Sequence, residues 1–257
     1  MIEIEVIFTD LDGTLLDDEY SSDLTLPLLS ELKERDIPVV FCSSKTRAEQ
    51  EILRERLGIE DPFIVEDGSA ILIPVGYFGE DGRERQSGFN RLVLGIEYEK
   101  IVDEIDRLRE RYRVVSYSNM TVDEVAGATG LDIERARLAM RREFSETVVD
   151  ADEGAIEELK RKFSVALGGD FVQIFGKGSD KGRAVSILSD MYRERFEVTT
   201  IGIGNSYNDE PMLRAVDRPA IVKNPDGSWA DIEIEEMFRA QGVGPQGWTE
   251  VVRRFIV

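Results

Sequence analysis

Histidine is absent from this 257-residue chain, and cysteine occurs once, as Cys42. The first absence excludes serine–histidine triads, histidine phosphotransfer and histidine metal sites. The second excludes an internal disulfide framework and any cysteine-rich zinc site. Cys42 ends the apolar run Ile37-Pro-Val-Val-Phe-Cys42, where a buried structural thiol is expected rather than a nucleophile. Acid–base work at neutral pH therefore falls to carboxylates, lysine or tyrosine. Long apolar runs are also missing. Uncharged stretches such as 70–79 are far too short to span a bilayer. Glu3 and Glu5 stand where a secretory signal would carry basic residues, so a cytosolic protein is expected.

Positive charge is scarce. Lys and Arg number 32 against 52 Asp and Glu, a net charge of −20, and only eight of the basic residues are lysine. Such a chain is a poor partner for nucleic acid or for an anionic membrane surface. The acidity suits a salty or hot habitat, or plain solubility. It also sets a constraint: an anionic substrate approaches a repulsive body. Its pocket should then concentrate positive charge, from side chains or a metal.

The periodicity present is that of an α/β protein. Apolar runs at 4–9, 37–42, 63–65 and 70–73 alternate with amphipathic stretches near 24–35 and 46–57, a βαβ pattern that favours a parallel sheet. A polar, glycine-rich segment at 79–88 reads as a junction, and Gly176-Lys-Gly-Ser179 as a second one. Between them a different pattern predicts strands at 91–96, 113–117, 146–150, 163–167 and 171–175. It predicts helices near 98–111, 132–142 and 153–162, and Thr121 with Glu124 makes a capping box for a short helix. Helices on one face of a small antiparallel sheet would suit this segment. After 178 the alternation returns, with helix 181–194, strand 198–203, helix 209–216, strand 219–222 and C-terminal helical stretches. The expected architecture is a doubly wound parallel sheet built from 1–80 and 178–257, with 81–177 inserted as an α/β cap. Two junctions at one end make hinge motion an expectation. Oligomeric state is not encoded in any pattern found.

The chemistry-bearing residues sit where strands end. The first strand closes in Asp10-Leu-Asp12-Gly-Thr14, at the carboxyl edge where open α/β sheets bind ligands. One carboxylate there can be a nucleophile and the other a general acid and then base; a plain Asp-Gly turn is the other reading. The second strand leads into Ser43-Ser44-Lys-Thr-Arg47, hydroxyls at a helix start that can bind an anion, cap the helix, or both. Lys181 opens a helix, against the macrodipole, which a phosphate neighbour would explain and a surface position would not need to. Gly204-Asn205-Ser-Tyr-Asn208-Asp209 offers oxygens that suit a hard cation or a capped loop.

In order and separation these four motifs resemble those of the haloacid dehalogenase superfamily of aspartyl-phosphate phosphatases, with its Rossmannoid core and large α/β cap. Over nearly the whole chain the sequence resembles the mannosyl-3-phosphoglycerate phosphatases of that superfamily. The matches are Cys42 to Glu49, Glu66-Asp-Gly-Ser-Ala-Ile71, Arg142-Glu-Phe-Ser-Glu-Thr147, Ser179-Asp-Lys-Gly182 and Val243 to Trp248. The resemblance implies Asp10 as nucleophile and Asp12 as acid and base. Ser43, Lys181 and Asn208 would grip the phosphoryl group, beside Ser44. Mg²⁺ would be held by Asp10, the Asp12 carbonyl and Asn205, with Asp209 orienting it directly or through water. The substrate implied is a small phosphorylated sugar or sugar-glycerate, mannosyl- or glucosyl-3-phosphoglycerate foremost. Arg47, Arg142 and Glu143 would meet its carboxylate or sugar, or else form surface and cap ion pairs. Two departures stand out. The family carries Gly-Asp-Ser where this chain has Gly204-Asn205-Ser206, which removes a negative charge from the cation site; weaker metal binding, slower turnover or a binding-only role would follow. Asp170 stands where relatives carry a basic residue, and it would repel an anionic substrate.

Overall fold

The computed structural model describes residues 2–79, 85–86, 88–168 and 171–257. Its elements are β1 (Glu3–Thr9), α1 (Leu26–Glu34), β2 (Val39–Cys42), α2 (Arg47–Leu57), β3 (Phe63–Val65), β4 (Ala70–Pro74), β5 (Arg85–Gln86), β6 (Phe89–Val93), α3 (Tyr98–Arg109), β7 (Val114–Ser116), α4 (Val122–Thr129), α5 (Ile133–Ala139), β8 (Ser145–Ala151), α6 (Glu153–Lys162), β9 (Ser164–Gly168), β10 (Phe171–Phe175), α7 (Lys181–Arg193), β11 (Glu197–Gly204), α8 (Glu210–Arg214), β12 (Arg218–Lys223), β13 (Phe238–Val243) and α9 (Pro245–Phe255). One sheet runs β13-β12-β11-β1-β2-β3-β4-β6-β5, and a second runs β7-β8-β10-β9.

Side-chain alternation along β1 explains why the first sheet is covered on both faces. Ile7 packs with Leu29 of α1, Leu53 of α2 and Trp248 of α9. Val6 and Phe8 point the other way, into Val185 and Leu188 of α7 and Met212 and Leu213 of α8. The strands from β13 to β3 are mutually parallel. β4, β6 and β5 extend that sheet in antiparallel fashion. Local signals match these elements. Thr46 and Glu49 form a capping box at the start of α2, and Gly58 ends the helix in the left-handed conformation.

Three expectations change. The strand predicted at 91–96 as the first of the insertion is β6, paired with β4 in the large sheet. Apolar content marks it as a strand, but not which sheet it joins. The C-terminal stretch holds a strand, β13, beside β12, rather than helix throughout. Its period-2 burial, with Ala240 buried and Arg239 and Gln241 exposed, was legible in principle. The small sheet also carries helices on both faces: α3 and α6 pack on Val148, while α4 and α5 pack with the adjacent Val149. The two chain crossings between the sheets run side by side. A Cβ on Gly176 would lie 2.9 Å from Ile96 N and 3.0 Å from Gly95, so the connections touch where only glycine fits.

Candidate active site

The register of the large sheet gathers the motif residues. β1 and β11 pair Thr9 with Ile203, and Asp10 N donates to Ile203 O at 2.9 Å. The loop after β1 and the loop after β11 therefore leave the sheet side by side. Gly13, at φ +71°, turns the first loop, and a Cβ there would meet Asn205 Nδ2 at 2.7 Å. Beneath it, Trp248 of α9 donates its indole N–H to Thr9 Oγ1 at 3.1 Å.

Lys181, fully buried, bridges two carboxylates, with Nζ 2.8 Å from Asp10 Oδ1 and 2.6 Å from Asp209 Oδ1. Burial alone would lower the lysine's pKa; Asp10, Asp209 and Asp67 outweigh it and hold Lys181 well above its ordinary value. Asp10 goes the same way despite the bridge. Burial first, then the charge of Asp209, push it up to about 7, against the pull of Lys181. The asymmetry has a simple origin: two buried acids share one cation, so the lysine stays charged and a carboxyl retains its proton more readily. The other Asp209 oxygen accepts from Asn205 N at 2.9 Å and Ser206 N at 3.0 Å.

Asp12 lies outside this bridge. Its Oδ2 is 2.9 Å from Lys45 Nζ, and Lys45 also faces Glu49 at 3.4 Å. Asp12 Oδ1 is buried without a hydrogen-bond partner. Ser43, buried at the end of β2, accepts from Lys45 N at 3.3 Å, which leaves its hydroxyl proton free. Asn208 donates to Asp67 Oδ1 at 3.2 Å. Asp67 is itself buried, and its pKa is raised by that burial, with Lys181, Arg142 and Asn208 opposing. So Asp10, Asp12, Ser43, Lys181, Asn205, Asn208 and Asp209 are brought together at the carboxyl ends of β1, β2 and β11. Ser44 meets the cap through its carbonyl, which accepts from Arg142 Nη1 at 3.1 Å.

Arg47 and Glu143 are spent elsewhere. Arg47 Nε binds Glu51 at 2.8 Å and its Nη1 lies 4.0 Å from Glu143, which also pairs with Arg91 at 3.5 Å. They form an ion-pair seam between core and cap, the second of the two roles open to them. Arg142 is the cap cation at the site, its side chain 6% exposed. Lys181, Lys45 and Arg142 supply the concentrated positive charge that the acidic sequence demands. Sequence reasoning assigned no role to Lys45, Glu66 or Asp67; all three lie inside stretches quoted for their resemblance, but nothing in their spacing shows where they point. Asp170 lies outside the described residues.

Magnesium takes hard oxygen donors and keeps several waters. Asp10, the Asp12 carbonyl and Asn205 Oδ1, which accepts from Thr14 Oγ1 at 3.0 Å, are all oxygen donors on adjoining loops. They fit magnesium in kind. Among the described residues no three acidic or cysteine side chains converge as a metal cage. Asp209 braces the loop and Lys181 through both of its oxygens.

Beside Asp12 lies a cavity of about 100 Å³, walled by Leu16, Tyr20, Lys45 and Glu49 of the core and by Leu131 and Leu138 of the cap. Ligand pockets for sugar-sized molecules run to about 300 Å³ or more, so this cavity is smaller than such a substrate needs. A larger groove of about 720 Å³ runs past Ile4, Val39, Asp61, Tyr77 and Tyr192, at the opposite edge of the sheet from the carboxylates. Among the described residues no helix is long and apolar enough to cross a membrane.

Comparison with known proteins agrees with the geometry. A Persephonella marina protein named glucosyl-3-phosphoglycerate/mannosyl-3-phosphoglycerate phosphatase is 39% identical over 98% of this chain and 97% of its own length. A Pyrococcus horikoshii mannosyl-3-phosphoglycerate phosphatase is 42% identical over 85% of this chain and 90% of its own. A solved structure from Thermoplasma acidophilum superposes with a TM-score of 0.71 at 20% identity, covering 98% of both chains. The sucrose-phosphatase from Synechocystis does so at 0.60 and 17% identity, over 99% of this chain and 98% of its own. Residues 7–228 match the family described as haloacid dehalogenase-like hydrolase, and with the sheet order and the carboxylate–lysine cluster already in place, the chain belongs to that family.

Proposed function

We propose that this hydrolase is a magnesium-dependent phosphomonoesterase. Its substrate is a hexosyl-3-phosphoglycerate, mannosyl or glucosyl, and it works through an aspartyl-phosphate on Asp10. The observation that carries the reading is the pairing of a buried Asp10–Lys181–Asp209 bridge with a second carboxylate, Asp12, outside it. Two relatives that align over most of the chain are named for such substrates.

The chemistry falls to residues in distinct roles. Ionised Asp10 attacks phosphorus, and the bond from phosphorus to the substrate's ester oxygen breaks. Asp12 gives that leaving oxygen a proton. Water then attacks the phosphorylated Asp10, Asp12 takes the water's proton, and phosphate leaves with Asp10 restored. Lys181, Ser43 and Asn208 hold the phosphoryl oxygens, where charge is stabilised in the transition state. Asp10, the Asp12 carbonyl and Asn205 would hold magnesium, which would offset the repulsion between phosphate and Asp10. Arg142 reaches the substrate from the cap, and Arg47 and Glu143 form weak ion pairs between core and cap. The part of the insertion between β6 and α7 acts as that cap, its small sheet drawn from 114–175.

The test is phosphate release from mannosyl-3-phosphoglycerate, glucosyl-3-phosphoglycerate and a panel of sugar phosphates, with and without magnesium. Turnover confined to the glycosyl-phosphoglycerates carries the reading. Equal rates across the panel mark a broader sugar-phosphate phosphatase. Binding without release at high magnesium marks a phosphoester-binding protein, the outcome that Asn205 in the cation site favours.

A further inference from the structure

Between β3 and β4 the chain makes the turn Glu66-Asp67-Gly68, with φ of +49°, +56° and +87°. Two of these three left-handed residues carry side chains, an arrangement that costs backbone energy and persists only where surrounding contacts over-determine it.

Those contacts reach the loops after β2 and β11 and the start of α7. Glu66 N donates to Lys45 O at 3.2 Å and Asp67 N to Ser43 O at 3.1 Å, which ties the turn to the loop after β2. Asn208 Nδ2 donates to Asp67 Oδ1 at 3.2 Å, which ties it to the loop after β11. Gly68 lies against the start of α7: a Cβ there would fall 2.1 Å from Asp180 O and 2.7 Å from Lys181 N.

The fourth side of the turn faces the cap. Glu66 is wholly buried, and its carboxylate is met by donors from one short cap segment. Glu143 N donates to Oε1 at 2.9 Å and Phe144 N to Oε2 at 3.0 Å. Ser145 Oγ donates to Oε2, and Arg142 Nη1 stands 3.9 Å away. A buried carboxylate is tolerated only when so satisfied. Arg142, in turn, donates to Ser44 O and Ser145 Oγ.

We propose that Glu66 is a positioning residue: it registers the closed cap on the turn that braces the catalytic loops, so that Arg142 reaches the site only when the cap is seated. The inference rests on the phosphatase reading above and adds to it the core residue that senses cap closure. A Glu66→Gln change leaves the core contacts of Asp67 and Gly68 in place. It removes the charge and turns an amide N–H toward cap donors.

The experiment compares wild-type, Glu66→Gln and Ser145→Ala proteins in two assays. One is amide hydrogen exchange of the ligand-free protein over 142–148. The other measures kcat and KM with mannosyl-3-phosphoglycerate and with p-nitrophenyl phosphate, which is too small to need the cap. For Glu66→Gln, exchange at Glu143 and Phe144 is expected to quicken by about tenfold or more. Its kcat/KM should fall about 30-fold on the sugar substrate but less than about threefold on the aryl phosphate. Ser145→Ala, which deletes one donor and keeps Glu66, should show the same pattern at about threefold, and it carries the test should the first variant not fold. Unchanged exchange at those two amides, or equal losses on both substrates, overturns the proposal. A wild-type protein that hydrolyses only the aryl phosphate defeats the substrate reading instead, and the exchange data then decide the role of Glu66 alone.

Discussion

Lys45 holds its ammonium 2.9 Å from Asp12 Oδ2, so Asp12, the carboxylate proposed as acid and base, has a cation of its own, separate from the one that serves Asp10. Burial works against this lysine's charge, but Asp12 and then Glu49 push its pKa above the ordinary value. Lys45→Ala leaves Asp12 and Glu49 facing each other without that cation. It should lower kcat by about 10- to 100-fold, less than the roughly 100- to 10,000-fold attached to a positioned acid–base group, because Asp12 itself remains. The fall should be larger for poor leaving groups, which need the proton most. Steady-state rates on a series of phosphate esters check this.

Replacing Asp10 by Asn should abolish turnover and stabilise the metal-free protein. The folded-state pKa of Asp10 is raised, from 3.8 to about 7. Stability linked to its bound proton is complete below the unfolded value and is lost as pH rises through the folded one. Asn mimics the protonated form at all pH values. The variant should therefore gain about 1–3 kcal/mol over wild type at pH 8, several degrees in Tm, with no gain at pH 4. Thermal melts in chelator across that range check the sign.

Asn205→Asp adds the charge that the family resemblance implies at this position. Activity should then saturate at magnesium concentrations about tenfold lower, since a carboxylate replaces a neutral amide oxygen. The metal-free protein should lose about 1–2 kcal/mol, because Asn205 Nδ2 now donates to Asn224 Oδ1 at 2.9 Å and an oxygen cannot. Magnesium titration of activity, with melts in chelator, separates the two effects.

Glu143→Ala should do little by comparison. Its pairs with Arg47 and Arg91 span 4.0 Å and 3.5 Å and are partly exposed; such pairs contribute about 0–1 kcal/mol. Less than about a threefold change in kcat/KM is expected on any substrate, measured beside Glu66→Gln.

The strand ends of the candidate site are legible because they depend on local order: an apolar run, a turn and a polar residue in fixed succession. Asp10 and Asn205 stand out that way, Lys181 by its place at a helix start, and the capping box of Thr121 and Glu124 by its spacing. Partnerships across the fold were not legible. Glu66 and Glu143 are far apart in sequence and meet only because the cap returns over β3. Lys45 could have aimed at solvent as readily as at Asp12. Arg47 is the reverse case: its place beside an anion-binding loop suggests substrate contact, but Glu51, one turn along α2, and Glu143, brought by tertiary packing, meet it first. β6 was found as a strand and assigned to the wrong sheet for the same reason, since hydrophobic pattern encodes burial and not the identity of the neighbour.

Trp248, on α9, hydrogen-bonds Thr9, the residue before Asp10. Some 240 positions of sequence separate the two, so during synthesis the opening strand waits almost to the last helix for that support. A nascent or truncated chain that carries all four motifs would still lack the prop beneath Asp10, and competence would arrive late, as a property of the docked C-terminal helix.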